Sequence, residues 1–113
     1  MAISYQSVAQ ECITLYAGKS LKVGAPCLIS SNDTANNCDD CDKFCGIVES
    51  VRGNLCSVIV KGFVTVPYSG ITPTVGWQLL AATDMNSVQC EQGGNSYLIT
   101  NVNTTDKTIT FLL

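Results

Sequence analysis

The 113-residue chain has no histidine and few charges: six lysines and arginines against nine aspartates and glutamates, 13% of the sequence. Without histidine, the usual base that activates a serine or cysteine nucleophile is missing. The lysines are not placed to replace it, and most acids occupy polar loops, where solvated turn residues are the ordinary interpretation. We therefore expect that the protein is not an enzyme.

Basic clusters and long apolar runs are missing as well. The net charge is −3, and without a cluster of lysine or arginine the chain lacks the electrostatic footprint of a nucleic-acid-binding protein. No apolar run approaches the roughly 20 residues of a membrane-spanning helix. The opening MAISYQSVAQEC lacks the basic and apolar regions of an export signal. These features predict no nucleic-acid or membrane partner, and synthesis and retention in a cytoplasm.

The hydrophobic pattern that is present has the period of β-strands, and helical signals are nearly absent. Seven short segments are rich in β-branched or aromatic residues and are bounded by turn residues: ECITLYA, PCLIS, FCGIVESV, LCSVIVKGFVTV, WQLLAA, SYLITNV and KTITFLL. We predict about seven to nine strands, with a bulge at Gly62 and turns at Gly53-Asn54, NTTD and Gly93-Gly94.

Chain length limits this pattern to one domain. The expected fold is all-β: a small barrel or sandwich over residues 10–113, preceded by an N-terminal arm over residues 1–9. Ile3, Tyr5 and Val8 alternate within the arm. We expect them to contact a partner by adding a strand to a neighbouring sheet, while a frayed terminus is the alternative.

The two halves of the chain resemble each other. VGAPCLISSNDTANNC, residues 23–38, aligns without a gap with VGWQLLAATDMNSVQC, residues 75–90. The alignment matches Leu28 with Leu80 and Cys38 with Cys90, and after a shift of one residue it matches Val58 with Ile109. Since neither half could bury its apolar face alone, we predict a pseudo-duplicated fold around one shared core.

The seven cysteines are an odd number for a disulfide scaffold, and an export signal is missing. Cys12, Cys27, Cys56 and Cys90 lie in apolar or alternating segments, so we interpret them as small packing residues.

Three further cysteines, Cys38, Cys41 and Cys45, lie close together in CDDCDKFC. A structural zinc site needs four ligands, and Cys90 could complete the set only if the repeat brought it near. The aspartates between the thiols should raise their pKa values and make the loop a poor nucleophile and a poor redox centre. We predict a surface loop with Cys45 turned inward next to Phe44, no cofactor, and a zinc-binding module as the alternative.

Two aromatic residues stand out in GFVTVPYSGITPTVGWQLLAA. Pro67 should end a strand, and the chain then crosses to the next strand between Tyr68 and Trp77. Both aromatic side chains could anchor a partner surface, because each combines a large apolar area with a polar group. In the alternative interpretation both cover one end of the barrel.

The run from GIVESVRGN to WQLLAA, followed by YLITNVNTTDKTITFLL, resembles capsid decoration or head-stabilising proteins of phages and prophages of Gram-positive gut bacteria. The resemblance covers residues 10–113 and includes a V-x-x-P-Y-x-G segment, a P-x-V-G turn and a T-x-T-F strand. The matching positions are Gly46, Val48, Gly53, Val66, Pro67, Tyr68, Gly70, Pro73, Val75, Gly76, Thr108, Thr110 and Phe111.

The resemblance implies a structural virion protein that is made in the host cytoplasm and binds the outer surface of a capsid. Its partners would be the major capsid protein and further copies of itself, by trimerisation about a symmetry axis. The cysteine-rich loop departs from the family pattern and leaves the zinc alternative open.

Overall fold

The computed structural model describes residues 10–113, and its regular elements there are all β-strands. The ten strands are β1 (Glu11–Ala17), β2 (Pro26–Ser31), β3 (Thr34–Asn37), β4 (Gly46–Arg52), β5 (Leu55–Lys61), β6 (Phe63–Pro67), β7 (Gly76–Ala82), β8 (Val88–Cys90), β9 (Asn95–Asn103) and β10 (Thr108–Leu112). The all-β class is confirmed, although the strands outnumber the seven to nine predicted. The short strands β3 and β8 were not predicted. Within this part of the chain, no helix has the length and apolar character needed to span a membrane.

The strands form two sheets with the same order. In the closed barrel the order is β1-β3-β2-β4-β5, with β1 also paired to β5, and in the second sheet it is β6-β10-β9-β7-β8. Because β1 pairs with β5, the barrel can also be followed in the other direction, as β1-β5-β4-β2-β3. In this direction each barrel strand corresponds to the strand at the same place in the second sheet, from β1 with β6 to β3 with β8. The parallel pair Tyr16 and Thr34 in the barrel matches a parallel bridge between Tyr68 and Val88. The strand order is therefore duplicated, as the sequence repeat predicts.

The strand register corrects the alignment of the two halves at one cysteine. Cys90 is the last residue of β8 and pairs with Leu80 of β7, so its structural counterpart lies within β3. The match of Cys90 with Cys38 is therefore wrong. Cys38 lies beyond the end of β3, in the connection to β4.

A second correction concerns the last hairpin of each half. Val48 lies opposite Val58, and Ile99 lies opposite Phe111. Val58 thus corresponds to Phe111 and not to Ile109. The difference arises because residues 53–54 connect β4 to β5, whereas the longer segment 104–107 connects β9 to β10.

Each half contains a loop that crosses over a strand. Strands β3 and β4 pair with opposite edges of β2, and β8 and β9 pair with opposite edges of β7. Residues 38–45 and 91–94 form the two crossings. The prediction of a hairpin turn at Gly93-Gly94 is therefore wrong, whereas Gly53-Asn54 joins two paired strands as predicted.

The junction between the halves is a single residue. Gly62 separates β5 from β6, which belong to different sheets, and has a φ of 109° that favours glycine. The predicted bulge within one long strand is instead the point where the chain changes sheets. At the other end of the second half, Leu113 donates its backbone N–H to the carbonyl of Gly62 at 3.0 Å.

Two hydrophobic clusters hold the sheets together. The smaller cluster fills the barrel and consists of Cys27, Ala35, Val48, Cys56 and Val58. The larger cluster combines Ile47 and Ile59 of the barrel with side chains of the second sheet, among them Val66, Leu80, Ile99 and Phe111. Because both halves contribute to the larger cluster, they pack as one unit.

Candidate functional site

The cysteine-rich loop, residues 38–45, leaves the barrel and packs against the second sheet. The N–H of Cys41 donates to the carbonyl of Ala82 at 2.9 Å, and the N–H of Ala82 donates to the carbonyl of Asp42 at 2.8 Å. Ala82 is the last residue of β7. The loop is therefore a backbone-bonded tether between the two halves.

Phe44 is the residue by which this loop enters the larger cluster, where its side chain is only 2% exposed. Its ring stacks on Tyr97 with a centroid distance of 5.1 Å and meets Phe111 edge-on at 6.1 Å. The hydroxyl of Tyr97 also donates to the carbonyl of Phe44 at 3.3 Å. One half thus inserts an aromatic side chain into the core of the other.

The three thiols of the loop lie in different surroundings. Cys38 is buried, while Cys41 and Cys45 are exposed. The prediction that Cys45 turns inward is wrong, because Phe44 occupies the inward position. Among residues 10–113, no three cysteine, aspartate or glutamate side chains are grouped in a way that could hold a metal ion. The zinc alternative has no ligand set in this part of the chain.

Burial and acidic neighbours together raise the pKa values of two of these thiols, and the contribution of the acids is the one that the sequence predicts. A hydrogen bond with Glu91, together with some desolvation and the charge of Asp40, raises the pKa of the exposed Cys41 to about 11. Burial and the charge of Asp42 raise the pKa of Cys38 to about 12. Both thiols are therefore poor nucleophiles near neutral pH.

Cys45 departs from this pattern. The neighbouring thiol of Cys27 favours the thiolate of Cys45 and, against the effect of partial desolvation, lowers its pKa to about 7. The same interaction, reinforced by burial, raises the pKa of Cys27. The prediction that the whole loop is a poor nucleophile is thus wrong for Cys45.

These pKa values predict a selective alkylation by iodoacetamide. At pH 7 about half of the Cys45 side chains would be thiolate, against about one in ten thousand for Cys41. The rate at Cys45 should rise with pH and level off above 7, while the rate at Cys41 keeps rising. Peptide mass spectrometry after timed labelling measures both rates, and parallel pH profiles would contradict the assignment.

Three of the four cysteines interpreted as packing residues are at least partly buried, and the fourth is exposed. Cys27 and Cys56 are buried in the barrel, and Cys90 packs partly buried against the larger cluster. Cys12 is exposed, so the interpretation is wrong there. Its thiol instead donates a hydrogen bond to the Glu49 carboxylate at 3.1 Å.

The second sheet carries an exposed apolar cleft of about 410 Å³. Trp77 and Leu79 lie two residues apart on β7 and so share one face of the strand, while Leu80, the residue after Leu79, points into the core. Ile71 and Cys90 complete the apolar lining. We call the surface formed by Ile71, Trp77, Leu79 and Cys90 the apolar cleft.

The apolar cleft presents an area that a partner could cover. Ile71 and Trp77 are 79% and 68% exposed, so a large apolar area faces solvent. The remaining lining residues are Gln78, Glu91 and Gln92. A partner with a complementary apolar side chain would bury this area and could hydrogen-bond to the amides around it.

Of the predicted contact residues, the structure exposes one and buries another. Trp77 is exposed in the apolar cleft, as a contact residue must be. Tyr68 is 6% exposed and packs in the larger cluster, so it supports the core instead. Ile3, Tyr5 and Val8 lie outside the described residues.

Sequence reasoning missed two features of this region. The contact between Cys27 and Cys45 depends on the crossing loop, for which the sequence has no local signal. Ile71 of the apolar cleft lies in a segment whose sequence is typical only of a turn.

No protein-family model, no curated protein and no solved structure matches this chain.

Proposed function

We propose that the protein is a structural virion component that binds the outer surface of a phage capsid. The observation that carries the proposal is the apolar cleft with Trp77 at its centre. Tryptophan is enriched among the residues that dominate binding energy at protein interfaces. The side chain of Trp77 is 68% exposed in the free chain, so most of its apolar area is available to a partner.

A capsid is a suitable partner for a small surface of this kind. The cleft alone would bury less area than a stable isolated complex needs. On a shell, many equivalent sites and contacts between neighbouring copies add to each weak contact. Trimerisation of the chain about a symmetry axis belongs to the same proposal, since it would multiply the clefts presented to the shell.

The family resemblance supports the same partner. Its V-x-x-P-Y-x-G segment runs from β6 into the connection to β7, and its P-x-V-G turn leads into β7. Ile71 lies between these two segments and Trp77 directly follows the second, so the resemblance flanks the apolar cleft. Resemblance and exposed surface therefore point to one region of the molecule.

Replacing Trp77 with serine tests the proposal. We expect the affinity for capsids, assembled from the major capsid protein of the same genome, to fall by about thirtyfold or more, the equivalent of ~2 kcal/mol. Co-sedimentation of the protein with the shells over a range of concentrations measures the change. Because Trp77 is exposed, the variant should fold like the unmodified chain.

Met85→Ser is the matched control, because Met85 is also strongly exposed but does not line the apolar cleft. Its affinity should be unchanged. Equal binding by the Trp77→Ser variant would show that the cleft does not contact the shell. A failure of the unmodified protein to sediment with the shells would reject the proposed function itself.

A further inference from the structure

The crossing over β2 brings two distant cysteines together. Cys27 on β2 pairs with Gly46, and the N–H of Cys45 donates to the carbonyl of Cys27 at 2.8 Å. The thiol of Cys27 donates to the carbonyl of Gly46 at 3.6 Å, so it lies against the residue that directly follows Cys45. Cys27 is 0% exposed, whereas Cys45 is exposed. A reagent in solvent can therefore reach Cys45, whereas Cys27 is inaccessible to it.

We propose that Cys27 and Cys45 form a reactive thiol pair that low-molecular-weight disulfides convert to an intramolecular disulfide. Cys45 is the attacking thiol and Cys27 is the resolving thiol. This assignment is independent of the proposed capsid role.

The exchange takes place in two balanced steps. The Cys45 thiolate attacks one sulfur of the external disulfide, so a mixed disulfide forms and one thiolate leaves and takes up a proton. Cys27 then loses its proton and attacks the Cys45 sulfur, which releases the second half of the reagent as a thiol. In total, two protein thiols are oxidised to one disulfide while one external disulfide is reduced to two thiols.

The surroundings of the other thiols explain why this pair is selected. Cys41 hydrogen-bonds to the carboxylates of Glu91 and Asp40, which oppose its ionisation. Cys38 lies near Cys45 but is buried and faces the charges of Asp42 and Asp39. The thiol of Cys56 donates to the carbonyl of Tyr16 inside the barrel.

A disulfide at this position would act on the tether between the halves. Cys45 directly follows Phe44, whose side chain fills the larger cluster. Covalent attachment of Cys45 to β2 would therefore restrict the loop that holds Phe44 in place. Oxidation should slow the opening of the contact between the halves.

Treatment of the folded protein with oxidised glutathione, followed by non-reducing peptide mapping, tests the proposal. The product should be lighter by about 2 Da, the mass of two hydrogens, and should contain a peptide pair linked through Cys27 and Cys45. Mapping of the unmodified chain gives this result without any variant that must fold. Unreacted thiols, a lasting glutathione adduct on Cys45, or a bond from Cys45 to Cys38 would each overturn the proposal.

Three variants separate the roles of the thiols. Cys45→Ser should slow the reaction with glutathione at least about tenfold, and Cys27→Ser should stop it at the mixed disulfide on Cys45. Cys41→Ser is the matched control, since it removes an exposed thiol of the same loop, and should react like the unmodified chain. Loss of the disulfide in Cys41→Ser would contradict the assignment.

Discussion

Replacing Phe44 with alanine should lower the free energy of unfolding by about 3–5 kcal/mol, the range for removing a buried aromatic side chain. The ring is nearly inaccessible and contacts both Tyr97 and Phe111. Alanine would leave a cavity in the larger cluster and also remove the stacked pair. Because the loop has backbone bonds to Ala82, it cannot readily collapse to fill the space.

Lys43→Ala is the matched control for this prediction, because Lys43 is the exposed neighbour of Phe44 in the same loop. Its effect should lie within about 0.5 kcal/mol, as is usual for surface positions. Urea unfolding followed by circular dichroism measures both variants. If Phe44→Ala lost less than about 1 kcal/mol, the loop would not be a structural part of the core.

The strands that alternate apolar and polar residues could be predicted from the sequence, because side-chain periodicity reports burial on one face of a sheet. The segment ECITLYA coincides with β1. Strand β3 could not be found this way. Its sequence TANN contains residues with low strand propensity, and only its pairing with β1 and β2 makes it a strand.

The distinction between Tyr68 and Trp77 was partly available in the sequence. Val64 and Val66 point inward in β6, and the same period of two places Tyr68 on the inward side. Pro67 predicts the end of the strand, so the sequence alone gives no reason to extend the period to Tyr68. The exposure of Trp77 is not predictable from the sequence, since the residues after Gln78, from Leu79 to Ala82, are all apolar and show no alternation.

The duplicated strand order explains what the cysteine-rich loop does. The crossing in the second half needs only the four residues 91–94, whereas the first half uses the eight residues 38–45. The additional length carries Phe44 into the second sheet and sets Cys45 beside Cys27. In a sequence alignment the longer crossing of the first half shows only as extra residues. Its structural role cannot be predicted from the sequence, because it depends on contacts with the second half.

Replacing Gly94 with alanine should destabilise the fold by about 3 kcal/mol, the upper end of the range for overpacking in a tightly packed site. The crossing of residues 91–94 passes close over β7, and a Cβ at Gly94 would overlap the backbone carbonyl of Leu80. Leu80 is fully buried and pairs with both Cys90 and Asn95. Backbone held on both edges cannot shift to make room.

The adjacent Gly93→Ala variant is the matched control, because a Cβ at Gly93 would meet no atom within 4 Å. It should leave stability unchanged or raise it by about 0.4–1 kcal/mol, since alanine restricts the unfolded chain. Thermal unfolding of the two variants under one set of conditions distinguishes them. Equal losses would show that the crossing needs glycine for flexibility, and a tolerated alanine at Gly94 would show that the loop does not pass over Leu80.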